Sequence, residues 1–439
     1  MGEPVDGGTW RMAELVLNSV IRPIGFTQGG WRHPDATPQR ALDLSYYQEY
    51  ARTSERGLFD GLFVANTPAA RSNDWTTLFS PLEPVALLSA LAPTTNHIGL
   101  IATLSSTFNH PYNVARQIAT LDHLSGGRAG VNIVTSGSLD AARNFGYDEL
   151  PGHDDRYERA HEFLDVLYQL WDSWDTDALI VDKGAGVQSK PDSVRPIGYR
   201  GRHFAVHGAL DVPRTPQGRP LVFQSGSSAP GRRLAAAYAD GVYTAQRTIP
   251  EAKAFRDDLH RTQRELGRSG PLVKVLPGLI PIVAGTDAEA HALHDEISAL
   301  NPPERSVAIL EERLKVDLTG VELDEPFPVV RLPPVESLAG ERSFHEIVRS
   351  HADAGATLRD ILRITDSGNG HLRFVGSAER VADEIEQWFT AGAVDGFNIN
   401  PAITPTGLTD FIDQVIPLLQ ARGIYKREYP GAGSRAPFS

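Results

Sequence analysis

The run "LDHLSGGRAGVNIVTS", Leu121–Ser136, decides the fold. A helix-like segment stops on Ser125-Gly126-Gly127. Glycine closes helices because it reaches left-handed backbone conformations without strain. An apolar strand follows at once. Helix, tight glycine turn and strand together make half of a βα repeat. The strand itself is unusual: it ends in Asn132, Thr135 and Ser136 rather than in more core. Val131, Ile133 and Val134 suit packing, while alternation turns Asn132 to the side opposite Ile133.

The same alternation extends in both directions. Apolar runs at 14–20, 61–66, 97–103, 129–136, 220–225, 241–245, 273–284 and 395–401 read as strands. Amphipathic stretches at 39–56, 83–91, 111–124, 154–171, 230–239, 250–267, 286–299, 377–391 and 408–422 read as helices. Parallel strands need such crossovers. Eight strands favour an α/β fold of the closed (β/α)8 TIM-barrel type with insertions, the alternative being an open Rossmann-like sheet with an appended domain. Two stretches exceed a minimal barrel. Residues 176–219, with "GYRGRHFAVHGALDVPRTPQGRP", read as a β-hairpin excursion. Residues 301–372, Pro-punctuated with a short helical piece, read as a lid or substrate wall within a single 1–439 domain.

Bulk properties narrow the function. The 439 residues include 42 Lys and Arg against 55 Asp and Glu, a net charge of -13 that disfavours nucleic acid and anionic membranes as partners. Without cysteine, thiolate catalysis, disulfides and cysteine metal sites are excluded. The 14 histidines show neither H-E-x-x-H nor H-x-H spacing, so no metal is expected. No apolar run spans a bilayer and the N-terminus lacks a signal-peptide pattern, which points to a cytoplasmic protein.

In such barrels the chemistry lies at the carboxyl ends of the strands. Here those ends carry Asn66, Thr103, Asn132 with Thr135 and Ser136, Gln224 with Ser225, and Asn398 with Asn400. These are amides and hydroxyls. Paired carboxylates, a nucleophile with its base, or a metal set is not evident. Neutral donors and acceptors over an apolar floor suit the edge of a heteroaromatic cofactor. "QSGSSAPGRR" then runs from strand into helix, with Ser227 and Ser228 before Pro230. This is a helix start that offers free N–H groups to a phosphate, or an ordinary Ser cap. Arg232-Arg233 stand where a P-loop needs Lys-Ser/Thr, so a nucleoside triphosphate is not expected. His153 and Tyr157 are four apart and share a helix face. His110 reads as a turn histidine, and Trp31-Arg32-His33 as a loop that could face substrate.

Taken in order, "DHLSGGRAGVNIVTS", "AARNFG", "HDDRYERAHEFL", "VPRTPQGRPLVFQSGSSAPGR" and "DGFNINPA" resemble the flavin-dependent monooxygenases of the bacterial-luciferase-like superfamily. Within it the chain is most similar to the nitrilotriacetate, EDTA and dibenzothiophene-sulfone monooxygenases, over roughly residues 14 to 428. The resemblance implies a (β/α)8 barrel and reduced FMN (FMNH2) delivered by a separate NAD(P)H:flavin reductase. It also implies O2 as co-substrate, a flavin (hydro)peroxide, a small organic substrate hydroxylated or cleaved at C–S or C–N, and a homodimer or homotetramer. It assigns Thr103 and Asn132 to the flavin, His153 and Tyr157 to the ribityl-phosphate, and Ser227 with Ser228 to the phosphate. Asn66 stands where the family usually has Asp, and an amide donates as well as accepts. The resemblance further implies a non-proline cis peptide near Ala102-Thr103. Arg71, Trp75, Phe79 and Phe108 are wall candidates for the substrate. A deazaflavin-dependent hydride-transfer enzyme of the same superfamily and a non-catalytic flavin-binding barrel are the alternatives.

Overall fold

A computed structural model describes residues 14–70, 82–334, 342–365 and 370–430. Arg71, Trp75 and Phe79 lie outside the described residues. In chain order the strands are β1 (Val16–Ile21), β2 (Gly61–Val64), β3 (Gly99–Ser105), β4 (Ala129–Val134), β5 (Leu179–Asp182), β6 (Val187–Ser189), β7 (Tyr199–Arg200), β8 (Ala205–Val206), β9 (Leu221–Ser225), β10 (Gly241–Thr244), β11 (Lys274–Ala284), β12 (Leu372–Ser377) and β13 (Gly396–Ile399). The helices are α1 (Leu44–Arg56), α2 (Pro84–Leu91), α3 (Pro111–Ser125), α4 (Leu139–Asn144), α5 (His153–Trp171), α6 (Ala229–Tyr238), α7 (Ile249–Glu265), α8 (Asp287–Ala299), α9 (Pro303–Leu314), α10 (Arg342–Asp353), α11 (Leu358–Thr365), α12 (Ala378–Thr390), α13 (Thr406–Asp410) and α14 (Ile416–Ala421).

Strands β1, β2, β3, β4, β9, β10, β11 and β13 pair in parallel in that order, and β13 returns to β1. The sheet is a closed (β/α)8 barrel, not an open one. Alternation sorts its side chains into two apolar layers. Val16, Val20, Phe63, Ile101, Leu221, Phe223, Leu276 and Ile280 fill the inside. Leu17, Leu62, Leu100, Val131, Ile133 and Val222 face the helices. Asn132 shares its side with the inner layer, because its neighbours Val131 and Ile133 belong to the outer one.

The turn within Leu121–Ser136 has the expected chemistry. Gly126 caps α3 at φ 68° and Gly127 follows at φ 90°. Asp122, fully buried, accepts from the Ala129 amide at 3.0 Å and so locks helix to strand. Arg128 is also buried and donates to the carbonyls of Ser125, Ile98, Ala92 and Thr95. Several other helices start on hydroxyl caps: Ser228, Thr248, Thr286 and Ser377.

Four features differ from the sequence reading. First, β3 continues to Ser105 rather than ending at Thr103. Second, the Ala102–Thr103 bond is trans. Both residues sit in an unbroken ladder, Ala102 opposite Val131 and Thr103 opposite Asn132, and the cis bond among the described residues is Thr404–Pro405. Third, β11 is long: its first part pairs with β10 and β13, and from Leu279 onward it pairs with β12, continuing past the end of β13. The β12 strand was not foreseen: Leu372–Ser377 is a six-residue run that mixes Arg373, Gly376 and Ser377 with Leu372, Phe374 and Val375, just after the Pro-rich insertion. Fourth, the long stretch after β11 holds three helices, α9 to α11, around an apolar cluster of its own that includes Leu310, Leu314, Phe344, Val348 and Ile361. The earlier excursion forms two small hairpins, β5–β6 and β7–β8.

Candidate active site at the barrel mouth

The inner layer ends in aromatic rings. Phe63 meets Phe223 edge-on at 5.2 Å and Tyr243 edge-on at 5.6 Å. Next to this floor runs a row of neutral hydrogen bonds. Ser225 Oγ donates to Asn132 Oδ1 at 3.1 Å, and Asn132 Nδ2 donates to Thr103 Oγ1 at 3.1 Å. Thr103 and Asn132 are 5% and 4% exposed, so the row is close to enclosed. It continues upward through Ser105 Oγ, which accepts from Ser136 Oγ at 2.9 Å. Ser136 takes a positive φ of 40°, and Arg156 from α5 donates to its carbonyl.

Three residues past Ser225, the chain builds a second polar cluster. Ser228 caps α6 by accepting from the Gly231 amide at 3.3 Å, and its hydroxyl donates to Tyr157 Oη at 3.3 Å. Two glycines make room for this contact. A Cβ on Gly226 would lie 3.2 Å from Tyr157 Oη, and one on Gly231 would lie 3.0 Å away. The result is a small-residue cradle at a helix N-terminus, where backbone N–H groups and the helix dipole favour an anion. His153 sits on the same face of α5, its ring 4.9 Å from that of Tyr157, and Nδ1 lies 3.1 Å from Asp154 Oδ1. Ser227 points elsewhere: its hydroxyl pairs with Thr244 Oγ1 at 2.8 Å, and Gln246 Nε2 donates to the same Thr244 at 3.0 Å. Thr244 and Gln246 are thus parts of the mouth that sequence reasoning missed. Their signal, two polar residues just past a strand end, was present at 244 and 246.

Of the seven expected site residues, Thr103 and Asn132 form one cluster, and His153, Tyr157 and Ser228 form another. Ser227 joins Thr244. Asn66 lies two residues past β2, half-buried, and no hydrogen bond among the described residues links its side chain to either cluster. Phe108 stacks face to face on Phe145 at 5.0 Å, with Tyr147 beside them at 5.9 Å, and makes an aromatic wall after β3. His110 is a helix cap, accepting from the Tyr112 amide at 3.3 Å. His33 is 8% exposed and lies between Asp35 at 3.7 Å and Glu296 at 3.6 Å.

Two other places are less suited to chemistry. Asp155, Glu158 and His203 come close enough to share an ion, but Arg202 pairs with both carboxylates and supplies the positive charge itself. A depression of about 580 Å³ near Asp172, Arg195, Arg214 and Arg219 lies at the opposite end of the barrel, just before β9. Its arginines are paired with Asp172 and Asp175.

Comparison with known proteins places this geometry in a family. The model for luciferase-like monooxygenases matches residues 24–395. The chain belongs to the luciferase-like monooxygenase family. It is 42% identical over 436 residues to nitrilotriacetate monooxygenase component A of Aminobacter aminovorans, covering 96% of this chain and 95% of that one. It is 38% identical over 432 residues to N-acetyl-S-(2-succino)cysteine monooxygenase of Bacillus subtilis (strain 168), covering 98% and 97%. Among solved structures it resembles DmoA from Hyphomicrobium sulfonivorans with a TM-score of 0.84 and 32% identity, covering 97% of this chain and 92% of that chain. As a member of this family of monooxygenases, the chain is a flavin-dependent monooxygenase. No helix among the described residues is long and apolar enough to cross a membrane.

Proposed function

We propose that this chain is the oxygenating component of a two-component system. It binds FMNH2 delivered by a separate NAD(P)H:flavin reductase and uses O2 to oxygenate a small organic substrate, by hydroxylation or by cleavage at C–S or C–N. The observation that carries this reading is one mouth with two clusters joined by the turn from β9 into α6. Ser225, at the end of β9, belongs to a neutral polar row beside an aromatic floor, and Ser228, just beyond it, belongs to an anion cradle. A flat heteroaromatic ring with a phosphate tail needs that pair of features. The cradle is a second fit: a Cβ at Gly226 or Gly231 would crowd Tyr157.

In this reading Asn132 and Thr103 bond the polar edge of the ring. Tyr157 and Ser228 hold the phosphate, with His153 beside them. Ser227 and Thr244 shape the turn between the two clusters, and Asn66 lines the β2 side. When bound, reduced FMN supplies the two electrons that let O2 place one oxygen atom in the substrate and release the other as water. The protein positions the ring, keeps bulk water from the reacting oxygen and places substrate beside it. The α9–α11 insertion closes over the mouth as a lid. The name "component A" of the Aminobacter relative supports a multi-component arrangement.

The test is reconstitution. Purified protein, a flavin reductase, NADH, FMN and O2 are supplied with nitrilotriacetate, N-acetyl-S-(2-succino)cysteine, dibenzothiophene sulfone and dimethyl sulfide, the compounds for which relatives are named. Oxygenated or cleaved product that requires both substrate and FMN is the expected result. Peroxide release alone with every substrate counts against oxygenation. Tight binding of a deazaflavin in place of FMN favours hydride transfer instead.

A further inference from the structure

We propose that a groove beside α6 holds the adenylate half of a flavin dinucleotide, so that the chain takes FAD as well as FMN. This rests on the oxygenase reading above, which seats the flavin phosphate on Ser228 and Tyr157, and it names a second nucleotide group for the same site. The groove has a volume of about 470 Å³. It is walled by His161 of α5, by Ala229, Pro230 and Arg233 of α6, and by Asp258 and Glu265 of α7. That size suits a small ligand group. The groove starts where the phosphate cradle ends. Ala229 and Pro230 follow Ser228 directly. His161 lies one helical turn, about 6 Å, beyond Tyr157 on the same side of α5.

The charges in the groove are uneven. Arg232 pairs with Asp258 at 2.6 Å and donates to the Ser227 carbonyl at 2.6 Å. Asp258 also pairs with Arg261, which in turn meets Glu265 at 2.9 Å. Both wall carboxylates are therefore answered. Arg233 is exposed, and among the described residues it makes no ion pair or side-chain hydrogen bond. In a chain with a net charge of -13, its guanidinium is a local surplus cation facing a concave space. His161 adds no charge. Burial lowers its pKa from 6.5, with Asp165 opposing the shift and Arg233 adding to it, so the ring is neutral near pH 7. That ring stands edge-on to Tyr238 at 5.6 Å, and Tyr238 Oη donates to Asp165 Oδ1 at 2.6 Å. A surplus guanidinium just beyond a phosphate seat matches a second phosphate, which it meets with paired N–H donors. Ala229, Pro230 and the His161 ring offer apolar surface to a flat base. The wall carboxylates accept from ribose hydroxyls or an exocyclic amine. Second phosphate, ribose and base are the parts of an adenylate group. A lone inorganic anion would use Arg233 and leave the apolar surface bare.

The experiment titrates the full chain with reduced FMN and reduced FAD without oxygen and follows protein fluorescence. FAD is expected to bind within about threefold of FMN, or more tightly. Arg233→Ala should raise the Kd for FAD about tenfold and shift that for FMN by less than about twofold. Thr262→Trp, which fills the groove from α7, should do the same. Neither side chain is buried, so an unchanged FMN titration also reports that the variants fold. A parent chain that binds FMN but not FAD, or an FAD affinity that either variant leaves unmoved, overturns the adenylate site. Equal weakening of both flavins overturns it too, because groove and cradle would then act as one site. A chain that binds neither flavin brings down the oxygenase reading and the adenylate site with it. FMN binding without the FAD pattern brings down the adenylate site alone.

Discussion

The amide of Asn132 uses both its ends inside the barrel, donating to Thr103 and accepting from Ser225. Asn132→Ala therefore does two things. It leaves the enclosed Thr103 hydroxyl and the half-buried Ser225 hydroxyl short of a partner, costing about 1–3 kcal/mol in a urea titration, and it weakens FMN binding. Gly231→Ala separates those effects. Alanine suits a helix better than glycine, so the thermal midpoint should hold or rise. The new methyl group would sit 3.0 Å from Tyr157 Oη and 3.3 Å from Ser228 Oγ, so the Kd for FMN, followed by flavin fluorescence, should rise about tenfold. A variant that binds FMN as the parent does would remove the phosphate from this cradle. At this scale the sequence was legible where a residue type has one usual job. The Ser-Ser-x-Pro helix start and the inward turn of Asn132 were read from local pattern. The donor direction of each side chain was not, because it depends on partners more than ninety residues away, as in the Ser225–Asn132 pair.

At the scale of elements, α9 to α11 pack around Leu310, Leu314, Val348 and Ile361 as a cluster separate from the barrel layers. Ile361 is fully buried, so Ile361→Ala should cost about 2–5 kcal/mol locally. Hydrogen exchange should then speed up across these helices while β1 to β4 stay protected. Equal loss of protection in both regions would mean that insertion and barrel unfold as one unit. The barrel elements were readable because each strand or helix repeats one simple period. Of the insertion, one short helical piece was legible, while the β12 strand and the count of three helices were not, because Pro-rich punctuation and short mixed runs break up the period.

Over the whole molecule, the chain end is tied to the barrel by a buried ion pair. Lys426 Nζ meets Asp60 Oδ1 at 2.7 Å, and Asp60 also accepts from the Leu17 amide at 2.8 Å. Lys426→Met leaves an enclosed carboxylate without its cation and should cost about 3–5 kcal/mol, read from the denaturant midpoint. Acid acts through different groups. Burial holds both His371 and His294 down to about 4 in the folded chain, against an ordinary value of 6.5. The unfolded chain takes up these protons first, so their effect on stability is absent above pH 6.5. Stability then falls as pH drops from about 6.5 to about 4, and levels off from these groups below that. His371→Gln should make this decline shallower in urea titrations across the range. An unchanged slope would show that His371 titrates alike folded and unfolded.

The sequence by itself determined the eight βα repeats and the strand ends that carry polar residues, while the closure of the sheet, against an open alternative, was decided by β13 returning to β1. Periodicity and turn chemistry are local, and they repeat along the chain. Only the tertiary structure decided which polar ends meet. It brought Ser225 to Asn132, Tyr157 to Ser228, and Tyr243 to Asn400. It also carried β11 past the barrel rim to pair with β12. These contacts join residues remote in sequence, and their register is fixed by how the whole sheet closes, which no local pattern encodes.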